Sequence, residues 1–184
     1  MHPDTGFEPI VTERLTLRRS IPEDAGEIAR YRSDPIVRRY QGWGQTDAAT
    51  VRRQIEEMAG RFPGEPGGWV QFTALERDGG RLVGDVGLSP AEEDPGVIKV
   101  GYTIDPDFQG KGYATEAVRA LVGYAFDTLG ADVVRAYASA ENIASHRVVE
   151  KAGLTLMERF EGVDDGVKWS GVRYELRRED RPDG

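Results

Sequence analysis

The chain has 184 residues, 39% hydrophobic and 30% charged, which suits one folded domain with a sizeable core and argues against disorder. Its net charge of −8 opposes nucleic acid and anionic membrane and favours cationic ligands, and the absence of cysteine rules out disulfides, thiolate metal sites and cysteine nucleophiles. No apolar stretch approaches the ~20 residues of a membrane span, and the start MHPDTGFEPI lacks a basic region followed by an apolar run, so a cytoplasmic protein is expected.

In chain order, Arg14–Arg19 alternates apolar and polar residues and reads as a strand. Ser20-Ile-Pro-Glu23 then reads as a capping box opening a helix that runs to about Arg32. Asp34-Pro35 predicts a cap and first-turn proline for a short helix. Thr46 is placed to cap the next helix, in which Val51, Ile55 and Met58 share a face. Glycine- and proline-rich residues 63–68 end it. Trp69–Arg77 and Arg81–Leu88 form a hairpin about Asp78-Gly79-Gly80, and Val97–Asp105 is the next strand. From about Gly112, apolar residues recur at helical steps through Leu129, and Gly130 suits a left-handed cap. Val133–Ala138 reads as a strand and Asn142–Ala152 as a short helix ended by Gly153. Two strands close the pattern, about Thr155–Glu161 and Val167–Arg177, with RREDRPDG expected to fray. The result is one α/β domain, core about residues 10–178, with a mixed, mostly antiparallel sheet and no internal repeat.

The segment Asp105-Pro-Asp-Phe-Gln109-Gly110-Lys111-Gly112-Tyr113-Ala114 carries the chemistry. A strand ends, a glycine-containing turn follows and a helix begins, so backbone N–H groups and the positive end of the helix converge where a pyrophosphate could sit. A turn that binds nothing explains the same residues equally well. The spacing fits neither a P-loop nor the dinucleotide fingerprint G-x-G-x-x-G.

Gln109-Gly-Lys-Gly112-Tyr-Ala114 matches the Q/R-x-x-G-x-G/A motif of the GNAT acetyltransferases. Gly101–Pro106 resembles the strand before that motif, and Ala114-Thr-Glu-Ala117 the helix start in the branch of ribosomal-protein N-terminal acetyltransferases. Glu141-Asn142-Ile-Ala-Ser145 through Leu154 resembles that branch's second cofactor segment, and Thr12–Arg18 and Tyr174-Glu-Leu176 resemble its ends. The resemblance implies a splayed sheet of about seven strands flanked by about four helices, with acetyl-CoA wedged into the opening. It implies that the Gln109–Ala114 turn holds the pyrophosphate and that strand backbone at Tyr102, Thr103 and Ile104 pairs with the pantetheine arm. The acceptor it implies is a primary amine, either a peptide N-terminus or a small molecule, attacking the thioester directly. A homodimer also fits the resemblance.

Asn142 matches the family's cofactor-contacting asparagine and also reads as an N-cap. Ser145 sits where this branch has a serine proposed to protonate the leaving thiolate, or bonds local backbone. The tyrosine that many relatives use four residues later is Val149 here. Asp85 is the base candidate: in a cleft its carboxylate could serve, whereas a solvated aspartate is the plainer reading. Tyr40, Trp43 and Trp69 fall where this fold builds its acceptor pocket, as pocket wall or as core. His146 reads as a surface residue and Glu116 as a helix-dipole partner, and two histidines leave no zinc set. The competing reading is a GNAT-like module that binds CoA without transferring.

Overall fold

A computed structural model describes residues 7–41, 46–164 and 167–181. In chain order come β1 (Ile10–Val11), β2 (Leu15–Arg19), a 3-10 turn at Pro22–Asp24, α1 (Ala25–Arg32), α2 (Pro35–Arg38), α3 (Ala48–Met58), β3 (Val70–Glu76), β4 (Leu82–Pro90) and β5 (Val97–Ile104). A second 3-10 turn (Pro106–Phe108) leads to α4 (Tyr113–Asp127), followed by β6 (Val133–Ser139), α5 (Ile143–Lys151), β7 (Thr155–Asp164) and β8 (Val167–Arg177). Among the described residues one sheet has eight strands in the order β1-β2-β3-β4-β5-β6-β8-β7. Every pairing is antiparallel except β5 with β6, where α4 makes the crossover. The expected mixed sheet is present with one strand more than predicted, the two-residue β1, and with five α-helices among the described residues.

Strand alternation divides the sheet into two unlike faces. Leu17, Phe72, Val86, Val100 and Val134 point to the side covered by α4, whose Ala117, Val118, Leu121, Val122 and Ala125 are all buried in the same cluster. The opposite face carries polar side chains, including Thr73, Asp85 and Thr103, and its β2–β4 half lies under α1 and α3. Those helices contribute a smaller apolar cluster of Ile28, Tyr31, Val51 and Ile55.

Three local expectations need correction. The capping role falls to Asp24, whose carboxylate accepts the Ile21 N–H at 3.0 Å, because Pro22 opens the turn one residue after Ile21. Ser20 instead shares a 2.9 Å hydrogen bond with Thr73. Asp47, not Thr46, caps α3 by accepting the Thr50 N–H at 2.7 Å. The C-terminal residues through Arg181 are pinned rather than frayed. Arg178 donates to the carbonyls of Phe126 and Ala131 at 2.7 and 2.6 Å, closing the otherwise open end of α4.

Asp24 gives the fold a pH dependence. Burial alone would raise its carboxyl, but bonds from Arg18, the Ile21 N–H and Thr73 together hold it below the ordinary aspartate range. A depressed folded value means stability present above the unfolded pKa of ~4 and lost as pH falls through the folded value. Asp24→Asn should therefore flatten the decline in Tm on acidification from about pH 5 to about pH 2. Parallel melting curves for the two proteins would refute this.

Candidate functional site

The sheet opens along one side of β5. Its pairing with β4 continues to Ile104, but its pairing with β6 ends at Val100↔Ala136. From Gly101 onward, the β6-facing edge of β5 has no strand partner among the described residues, so its N–H and C=O groups face a wedge. An extended, polar ligand can complete that edge as an added strand would.

The floor of the wedge is the predicted turn. Asp105 accepts the Asp107 N–H at 3.1 Å and starts the 3-10 turn, and the Gln109 amide donates to the Ile104 carbonyl at 2.9 Å. Gly110 and Gly112 have φ of 74° and 84°, a left-handed conformation that side chains resist. Gly112 is the N-cap residue of α4 and offers no capping side chain, so the first-turn N–H groups are left open at the positive end of a 15-residue helix. Lys111 points elsewhere: its ammonium donates to the Asp107 carbonyl at 2.8 Å and lies 5.1 Å from the Phe108 ring.

Arg14 holds the turn from outside. Its guanidinium bonds Glu116 at 2.7 Å, donates to the Lys111 carbonyl at 2.9 Å and lies 4.6 Å from the Tyr113 ring centroid. The Arg14 N–H and the Thr12 hydroxyl complete the hold on Glu116 at 2.7 and 2.6 Å. The Lys111 carbonyl and the Gly112 N–H belong to one peptide plane and point in opposite directions. Fixing the carbonyl on Arg14 therefore fixes the direction of that donor. Glu116 is thus a tie between the N-terminal segment and α4 as well as a first-turn acid. Arg14→Gln should raise the KM for acetyl-CoA several-fold with kcat unchanged, since the donors are loosened but not removed. An equal fall in kcat would contradict it.

The far wall comes from α5. Asn142 caps the helix by accepting the Ser145 N–H at 3.1 Å, so the capping reading is met while the residue also lines the groove. Ser145 contacts the Tyr102 phenol, which burial holds above its ordinary range and thus protonated. Val149 is 3% exposed, a core residue. His146 is also buried rather than on the surface, because its ring packs on Tyr174 at 5.7 Å and its Nε2 bonds the Ser139 carbonyl at 2.9 Å. A groove of about 410 Å³ gathers Tyr102, Thr103, Ile104, Gln109, Gly110, Gly112, Tyr113, Ala114, Asn142 and Ser145. Of the predicted site residues, Lys111 and Asp85 do not line it.

Asp85 lines a second cavity of about 440 Å³, which shares Tyr102 and Thr103 with the groove. At 1% exposure it is not solvated. One oxygen accepts from Arg32 at 2.8 Å and from Gln71, and the other accepts from the Tyr31 hydroxyl and from Arg32 at 3.3 Å. Gln71 in turn accepts the Trp69 indole N–H at 2.7 Å. Burial and the adjacent Asp85 hold the Tyr31 phenol well above its usual range. The Trp69 ring lies over the paired glycines Gly87 and Gly101, where a Cβ on Gly87 would come within 2.4 Å of it. Tyr40 lines the cofactor groove and Trp69 the second cavity, whereas Trp43 falls outside the described residues. Gln41, between them, reaches the Thr103 hydroxyl at 3.5 Å. Sequence reasoning missed Arg14, Arg32, Tyr31 and Gln71. Each acts on a residue far along the chain, and no local pattern marks such a contact.

A half-open sheet, an extended edge for pairing and an uncapped helix start together define a domain built to hold an acyl-CoA thioester: the edge suits pantetheine and the open N–H groups suit pyrophosphate. The model of the Acetyltransferase (GNAT) domain matches residues 14–155, and the chain belongs to that family as an acetyl-CoA-dependent N-acetyltransferase. It is 30% identical over 78% of its length to an uncharacterized N-acetyltransferase, p20, of Bacillus licheniformis, covering 80% of that protein. It is 32% identical over 80% of its length to the FsC-acetyl coenzyme A-N(2)-transacetylase of Aspergillus fumigatus, covering 66% of that protein. Its fold matches that of RimL, a ribosomal L7/L12 alpha-N-protein acetyltransferase solved with coenzyme A, with a TM-score of 0.80 at 16% identity over 95% of this chain and 100% of that one. Among the described residues no helix is long and apolar enough to cross a membrane, and no cluster of potential metal ligands occurs.

Proposed function

We propose that the acceptor is a low-pKa primary amine, with a peptide N-terminal α-amine as first choice. The observation that carries this reading is the saturation of Asp85. Its two oxygens already accept from Tyr31, Arg32 and Gln71, which makes it a charge partner for buried Arg32 before it is a base for substrate. An amine that needs little help losing its proton suits such a site. An α-amine has a pKa near ~8, against ~10.4 for a lysine side chain.

Acetyl-CoA supplies an acyl group on a thioester that a neutral amine attacks directly. The β5 edge at Tyr102–Ile104 orients the thioester arm and offers an N–H towards its carbonyl, which would stabilise developing negative charge. In this reading Ser145 gives the departing sulfur a proton, and its contact with the buried Tyr102 phenol supports that role. Asn142 holds the α5 start against the cofactor.

The test is thiol release with peptides bearing free or blocked N-termini, beside polyamines and aminoglycosides. Turnover on free N-termini and its loss on blocking are expected. Equal rates on blocked, lysine-containing peptides would overturn the α-amine assignment. Acetyl-CoA binding without turnover on any amine would instead indicate a binding module.

A further inference from the structure

The β2–β4 half of the polar sheet face is covered by α1 and α3, whereas among the described residues the helices that contact β6 and β7, α4 and α5, pack into the main core on the other face. On the β6–β8 half the registers Ser139↔Gly171, Phe160↔Gly171 and Gly162↔Trp169 bring one face of three strands together. Phe160 lies across Gly171 and Trp169 across Gly162, so closely that a Cβ on either glycine would sit within 2.6 Å of the opposing ring. The rings of Tyr137, Phe160 and Trp169 follow one another edge to face at 6.2 and 5.7 Å. Tyr137 is nevertheless 50% exposed and Trp169 47% exposed. The charges beside this ladder are paired among themselves, Arg135 with Glu93 and Glu175, and Arg173 with Glu158. The floor between them is aromatic, with Arg39, Glu141, Glu161 and Lys168 at the border of the groove.

That floor leads to the reacting atoms. It lines an open groove of about 1060 Å³ that also includes Tyr40, Gln41 and Ser139. The same three residues, with Tyr137, line a narrow throat of about 100 Å³ whose other walls are Tyr102, Asn142 and Ser145. A molecule lying on the aromatic floor with an amine in the throat would reach Ser145 from the side opposite the α4 turn.

Resting on the acetyl-transfer reading, we propose that Tyr137, Phe160 and Trp169 form the acceptor-docking surface, and that the acceptor carries an aromatic or bulky apolar group close to its amine. Flat rings favour edge-to-face and stacked partners, and an exposed aromatic row beside a reaction throat selects for such a group more than for a polyol or polyamine. Arg39 and Lys168 border the groove along with Glu141 and Glu161, so its charges balance and the rings, not a net charge, carry the selectivity.

The test compares free-N-terminus tripeptides with phenylalanine or glycine at each of the three positions, and 2-phenylethylamine with ethanolamine. The native enzyme should prefer the aromatic acceptor by about tenfold in kcat/KM, corresponding to one well-packed ring. Phe160→Ala and Trp169→Ala should abolish that preference, Trp169→Phe should restore it, and the KM for acetyl-CoA should stay unchanged in all three. A preference that is absent, or that survives in the alanine variants, overturns the proposal. So does a native dimer that Trp169→Ala converts to a monomer by light scattering, since the face would then be an interface between copies. Turnover of the amines without turnover of any peptide would sink the α-amine assignment and leave the docking surface testable on the amine pair.

Discussion

Gly110→Asp should weaken acetyl-CoA binding by more than ~100-fold while leaving the fold intact. Nothing lies within 4 Å of a Cβ built at Gly110, so the side chain meets no steric conflict. The backbone sits at φ of 74°, a region that aspartate and asparagine enter more readily than other residues. The new carboxylate would stand at the mouth of the N–H cradle before α4. At ~5 Å and an effective dielectric of ~20, each pair of like unit charges costs about 3 kcal/mol, and a pyrophosphate carries more than one charge. Gly110→Asn has nearly the same shape without the charge and should lose only a few-fold. Calorimetric titration of both variants, with circular dichroism to confirm folding, reads the difference. Equal losses for the two would mean that no anion binds there. Gly112 is a poorer place for the experiment, because a Cβ there would lie 3.2 Å from the Arg14 guanidinium and a carboxylate would pair with it.

Ser145→Ala is expected to lower kcat by ~100-fold or more, the typical cost of losing a positioned proton donor, with the affinity for acetyl-CoA nearly unchanged. The α5 start does not depend on the hydroxyl, since the capping bond runs from the Ser145 N–H to Asn142. Tyr102→Phe separates the two hydroxyls that meet in the groove. If Ser145 is the donor and Tyr102 supports it, the phenylalanine variant loses less than the alanine variant. If Ser145→Ala keeps full turnover in a chemistry-limited assay while Tyr102→Phe does not, the roles are reversed. Because burial raises the Tyr102 phenol, it stays protonated across neutral pH, and no alkaline limb below about pH 10 should arise from it.

Asp85 illustrates how far residue type alone can lead. Strand alternation set it on the face away from Val86 and Leu88, as found, but put Leu82 with them and Val83 with Asp85. The register shift beside Gly84 reverses both, so Leu82 packs against the α1–α3 cluster and Val83 in the main core. Alternation did not show that α1 would carry Tyr31 and Arg32 onto the same spot as Asp85. Removing Asp85 would leave the Arg32 guanidinium buried without its charge partner, which typically costs ~3–5 kcal/mol. Asp85→Asn keeps the shape but removes the same charge, so melting curves read beside the kinetics are what separate the structural loss from a chemical one. His146 teaches the same lesson: its place on a short helix suggested solvent, and Tyr174, 28 positions along the chain, buries it.

The sequence by itself determined the features whose physics is local. A turn with glycines at 110 and 112 before an apolar-periodic helix dictates an open, positive helix start, and Asn142 three residues before Ser145 dictates a cap. The strands and helices of the core follow from the same short-range periodicities. Tertiary structure alone decided which side chains complete those features. Arg14 grips the Lys111 carbonyl from 97 residues away, and Arg178 closes α4 from 52 residues beyond Phe126. The aromatic row exists only because the β6–β8–β7 register sets two rings opposite two glycines. Backbone conformation depends on neighbours in sequence, whereas the pairing of distant polar groups depends on strand register and helix placement, which are fixed only when the whole core closes.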